Sequence, residues 1–86
     1  MAGETFPLVV IVWHDHQSHD QWSSHDAAVK ALQHSVIHSV GWLIHEDDLS
    51  YAIIQNVDRV SDLMCMQMRI YKGTVVSFQT IEGLQQ

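Results

Sequence analysis

Cysteine and proline are nearly absent from this chain, with one of each in 86 residues. A single Cys65 excludes a disulfide framework within the chain and fits a reducing compartment. Basic residues are scarce as well, four against ten acidic ones, for a formal charge of −6. Tracking of a nucleic-acid polymer along its phosphates is therefore not expected. The longest apolar run, Leu8 to Trp13, falls far short of the roughly 20 residues of a membrane span. No basic leader with an apolar core is visible at the N-terminus, and no glycine-rich phosphate loop occurs. Hydrophobic residues make up 47% of the chain, which excludes wholesale disorder. A single domain over 1–86, with loose ends at 1–6 and 82–86, is expected. These traits predict a small, acidic, cytoplasmic protein with no membrane partner.

What the chain does have is histidine, seven of them. Four, His14, His16, His19 and His25, fall within twelve residues. Full protonation would move the formal charge from −6 to +1, so charge and solubility are expected to collapse in mild acid.

Hydrophobic periodicity points to strands. Pro7 is tolerable at a strand start. Leu8-Val9-Val10-Ile11-Val12-Trp13 is continuous, apolar and β-branched, as in a strand covered on both faces. The polar stretch from His14 to Asp26 reads as a long loop. Ser24 or Asp26 is placed to cap a short helix through Ala27 to Leu32. Gln33 to Glu46 reads as a second strand, with Val36, Val40, Trp42 and Ile44 on one face and Ile37 and Leu43 on the other. Gly41 inside it marks a bend, a bulge or a close approach. Tyr51 to Val57 reads as a third strand between two polar turns. In the fourth, Met64, Met66, Met68 and Ile70 alternate with Cys65, Gln67, Arg69 and Tyr71, giving an apolar stripe. That stripe reads as core, or alternatively as a self-association surface. Lys72-Gly73 breaks the pattern before a last strand from Thr74 to Ile81. The sum is a mainly β fold: a small five-stranded antiparallel sheet or SH3-like barrel, with one short helix after the first strand.

Candidate chemistry is sparse. His14-Asp15-His16-Gln17-Ser18-His19-Asp20 approximates the H-x-H-x-D-H signature of metallo-hydrolases. Ser18 stands where that signature needs Asp, and no closed set of four ligands accompanies it. A metal-dependent hydrolase using His14, His16 and His19 is one reading; an exposed polar loop is the other. Cys65 has no activating motif around it. The carboxylates of Asp47 and Asp48 fall in a turn and read as solvating it. Trp13, Trp22 and Trp42 either pack the core or offer an aromatic wall to a planar ligand. Arg69 and Lys72, with Tyr71 between them, form a local basic spot able to hold one or two phosphates.

Several of these segments, taken together, resemble a group of small phage-encoded proteins of uncharacterised function. The matching residues are Trp13, Asp15, Ser18, Trp22, Ser39-Val40-Gly41-Trp42-Leu43 and Ile70-Tyr71-Lys72-Gly73-Thr74-Val75. The resemblance spans about Val9 to Ile81. The chain departs from the pattern in its histidine load and in a longer insert between Trp22 and Val36. The resemblance implies an accessory phage protein acting in the host cytoplasm. Such proteins often counter host defence. One strategy is a non-enzymatic, homo-oligomeric sponge that sequesters a nucleotide immune signal, such as a cyclic dinucleotide or a cyclic ADP-ribose isomer. On that reading the small nucleotide ligand is held by Trp13, Asp15, Ser18, Trp22, Gly41, Trp42, Arg69, Tyr71 and Lys72. No cofactor, bound metal or catalytic residue is required. A rival expectation is an acidic protein-interaction module that inhibits a host enzyme.

Overall fold

A computed structural model describes residues 5–15, 20–32 and 35–85, with side chains described as far as Ile81. Strand β1 spans Pro7–Asp15 and is followed by helix α1, His25–Ala31. Then come β2 (Ser35–Glu46), β3 (Ser50–Ile54), β4 (Asn56–Asp58), β5 (Leu63–Cys65), β6 (Met68–Tyr71) and β7 (Val75–Gln85). A 3-10 turn, Lys72–Thr74, joins the last two. The fold is mainly β, as its alternating apolar segments predict. Pro7 opens β1, where its missing N–H costs least. Ser24 is the cap of α1: its hydroxyl accepts from the N–H of Ala27 at 3.2 Å.

Five strands form one antiparallel sheet in the order β6-β3-β2-β1-β7. Consecutive strands β6 and β7 thus lie at opposite ends of it. Laid flat, they would stand about 19 Å apart, four spacings of ~4.8 Å. Yet the 3-10 turn between them has three residues and advances the chain only about 6 Å. The sheet must therefore curl. β4 and β5 form a separate two-stranded hairpin. It stands where the expected third and fourth strands would have continued.

Strand alternation divides the sheet into two faces. The first carries the core: Val9, Ile11, Ile53 and Ile70 are buried, with Trp13, Leu43, Tyr51, Val75 and Phe78 packed against them. The second carries Leu8, Val10 and Val12 of β1 beside Trp42, Val40 and His38 of β2. Ile54, paired with Trp42 on this face, is buried too.

Three expectations need correction, and β2 adds a finding of its own. The methionine stripe is not core. Met66 has φ 62°, leaves the strand and is 61% exposed, and Met68 is 41% exposed. The period of two runs across a break between β5 and β6, so its members do not share one face. In β2 the more apolar face is the more open one. Val36 and Val40 are exposed, whereas Ser39 and Gly41 on the other face are buried. The third strand ends at Ile54, and Val57 belongs to the hairpin. Lastly, 82–85 are strand rather than loose tail, with Gln85 paired to Pro7 across a register shift.

The chain is extended for its size. Its radius of gyration is 16.8 Å, against about 12 Å for a compact domain of this length. Its accessible surface is 6389 Å², against roughly 5,200 Å² for a compact chain of this mass.

Candidate functional site

The polar groups of the molecule converge at the β2–β3 hairpin. Asp47 begins its turn. One of its carboxylate oxygens accepts from the backbone N–H of Leu49 at 2.9 Å and of Ser50 at 2.8 Å. The same oxygen accepts the Ser50 hydroxyl at 3.1 Å. The Arg69 guanidinium reaches over from β6. Its Nη1 donates to Ser50 Oγ at 2.8 Å and approaches the second Asp47 oxygen at 3.4 Å. His45 Nε2 lies 3.7 Å from that second oxygen. The two backbone N–H groups, helped by the Ser50 hydroxyl and Arg69, hold the Asp47 carboxyl below the usual carboxylate range.

A second pair closes the other side of the turn. Lys72 Nζ donates to Glu46 Oε2 at 2.7 Å and lies 5.0 Å from the centre of the Tyr51 ring. Its bond to Glu46 raises its pKa above the usual lysine value. Tyr51 in turn stacks on Phe78, ring centres 4.6 Å apart. The backbone N–H of Lys72 also donates to the Leu49 carbonyl at 2.8 Å, tying the 3-10 turn to the hairpin.

Ser50, His45 and Asp47 are the residue types of a hydrolytic triad, but the wiring differs. The Ser50 hydroxyl donates to Asp47 rather than to an imidazole. Ser50 itself is buried beneath Arg69. The arrangement orders a hairpin and fixes a guanidinium; it does not activate a nucleophile.

The residues singled out from the sequence separate in space. Trp13 lies on the first face, where its indole N–H donates to Ser39 Oγ at 3.0 Å. Trp42 lies on the second face, paired with Leu8. Trp22 is fully exposed in the loop before α1. One chain therefore does not assemble the three tryptophans into a single wall. Gly41 is buried, and a Cβ there would meet the Ile54 carbonyl oxygen at 2.6 Å. The close approach this glycine serves is that of the chain's own backbone.

Arg69 and Tyr71 share the second face with Trp42. Arg69 pairs with Ala52 and Tyr71 with Ser50, on the same side of β3 as Ile54. Lys72 instead turns toward Tyr51 and Glu46. Asp15 is exposed at the end of β1. Ser18, His16 and His19 lie outside the described residues, and His14 is exposed. Among the described residues no group of three or more His, Cys, Asp or Glu side chains is placed to hold a metal ion. No pocket forms among them either. No described helix is long and apolar enough to cross a membrane.

Sequence reasoning missed Asp47 and Ser50 as the anchors of Arg69. The signal was present in Asp47-Asp48-Leu49-Ser50, an Asp followed three residues later by Ser in a turn. No family model, no curated protein and no solved structure matches the chain.

Proposed function

We propose that the chain is a non-enzymatic phage anti-defence protein that binds and sequesters a nucleotide immune signal of the cyclic dinucleotide or cyclic ADP-ribose type in the host cytoplasm. The observation that supports this reading is the shared face of Trp42, Arg69 and Tyr71. By strand spacing, Trp42 and Arg69 are about 12 Å apart across the sheet. That separation suits a ligand with a base at one end and a phosphate at the other. Trp42 supplies a stacking surface. Arg69, oriented by Ser50 and Asp47, supplies a fixed donor fork for an anion. Tyr71, exposed beside it, adds a second ring. A single chain presents this set on an open face, so a homo-oligomer is needed to enclose the ligand.

Calorimetry with a panel of cyclic dinucleotides, cyclic trinucleotides and cyclic ADP-ribose isomers tests the proposal. One member is expected to bind with sub-micromolar affinity, more than about 8 kcal/mol. Trp42→Ala and Arg69→Lys are each expected to weaken it, with circular dichroism confirming the fold. The ligand is expected to emerge chemically intact on boiling. Silence across the panel rejects the nucleotide reading, and a cleaved product makes the protein an enzyme.

A second reading, an interaction module that inhibits a host enzyme, draws on the β4–β5 hairpin. Val60 at its tip is 97% exposed, and Leu63 and Met66 are exposed nearby. A stoichiometric host protein retained by the wild-type chain and lost with Val60→Asp would favour it.

A further inference from the structure

We infer that the outer edge of β7 is a self-pairing edge, joined antiparallel to β7 of a second copy about a two-fold axis. This contact is distinct from the enclosing one invoked above, since β7 lies at the opposite end of the sheet from β6, and it does not depend on any nucleotide, because strand pairing needs only the chain itself.

β7 is the end strand of the sheet, hydrogen-bonded to β1 alone among the described strands. Its other edge offers a row of backbone donors and acceptors. Natural edge strands of this kind carry protection: lysines, a proline, short length or an inward charge. From Val75 to Ile81 the sequence is Val-Val-Ser-Phe-Gln-Thr-Ile. That stretch holds no charge, no proline and no glycine; Glu82 and Gly83 follow it within the strand. Its β-branched and aromatic residues favour pairing. Val76, Ser77, Gln79 and Thr80 are exposed along it. The opposite end strand, β6, has only four residues and turns away at once into the 3-10 turn. A β7-to-β6 contact between copies would therefore use a shorter edge than β7 pairing with itself.

A second copy offers this edge a partner strand of equal length, likewise uncharged from Val75 to Ile81. With Gln79 on the axis, Ser77 faces Ile81 of the partner and Phe78 faces Thr80. The two core faces then run on as one ten-stranded sheet. A two-fold contact of this kind is closed, so assembly stops at two along this edge.

Sedimentation equilibrium of the full chain, without nucleotide, tests the inference. The wild type is expected at twice the mass of one chain over a broad dilution series. S77K/Q79K and S77E/Q79E place like charges across the axis on exposed positions. Each is expected to sediment as a single chain with an unchanged circular-dichroism spectrum. Mixing the two is expected to restore the doubled mass, because opposite charges then face each other. A wild type that stays single at every concentration overturns the inference. So does a lysine variant that remains double, since another surface must then join the copies. So does a mass that grows without limit, which marks an open head-to-tail contact.

Discussion

The indole N–H of Trp13 donates to the hydroxyl of Ser39 at 3.0 Å, diagonally across the β1–β2 pair. Ser39 is buried, and its hydroxyl also lies 3.9 Å from the Met68 sulfur. The bond explains how a small polar residue comes to sit in the core: it satisfies the one donor of a large apolar ring. Ser39→Ala is expected to destabilise the fold by about 1–2 kcal/mol, because the indole loses its partner. Urea unfolding would read this as a lower midpoint at unchanged slope.

Gly41 and Gly73 are expected to respond oppositely to alanine. At position 41 the new methyl meets the Ile54 backbone oxygen at 2.6 Å, which only a backbone shift relieves. The expected cost is about 1–3 kcal/mol. At position 73 nothing lies within 4 Å. Gly73→Ala is expected to stabilise by about 0.4–1 kcal/mol through the unfolded chain. Thermal melts of the two variants check both signs.

The hairpin carboxylates set an acid limit. Asp47 and Asp58 both titrate below the ordinary value of 3.8. The main causes are backbone N–H groups, of Leu49 and Ser50 for the first and Val60 for the second. The stability they supply is complete above that value and is lost as pH falls through their folded pKa. Lys72 is shifted the other way, above 10.5 by its bond to Glu46. Its contribution is complete below that value and is lost as pH rises through the folded pKa. Melting temperature against pH should therefore fall at both ends. Asp47→Asn should flatten the acid limb and Lys72→Met the alkaline one.

Met66 adopts φ 62°, a left-handed conformation that costs an L side chain roughly 1–2 kcal/mol. Met66→Gly is expected to raise stability by up to about 1 kcal/mol. Met66→Asp, which a core stripe would not tolerate, is expected to stay within about 1 kcal/mol of wild type. Denaturant titration of the pair separates an exposed turn position from a buried strand position.

Those residues also show where sequence patterns reach their limit. β1 was legible because six consecutive apolar positions admit few alternatives, and α1 because Ser24 carries the cap in its side chain. The methionines misled because a period of two is blind to a chain that leaves the sheet and returns. Met66 and Gln67 keep the rhythm while the backbone does not. The burial of β2 follows a different constraint. Its first face needs small residues where Trp13 and Ile53 crowd it, so the buried positions are Ser39 and Gly41 while the bulky valines lie outside. As for the site, Arg69 and Lys72 were legible as cations. Their carboxylate partners, Asp47 and Glu46, lie more than twenty residues away, and only the strand register brings them together.

The pairing of β1 with β7 has a kinetic consequence. Leu8 faces Ile81, so this contact closes nearly the whole chain as one loop. Such closure is entropically costly and cannot be prepared by local hairpins. The meander β2–β3–β6 can zip from its turns, but β1 and β7 must find each other last or through a diffusive search. Folding should accordingly be slow for so short a chain, in the millisecond-to-second range of topologies rich in distant contacts. Rejoining the chain between the neighbouring Pro7 and Gln85 and reopening it at Val60 would turn that most distant pairing into a hairpin. The permuted protein would keep the same sheet and reach it sooner.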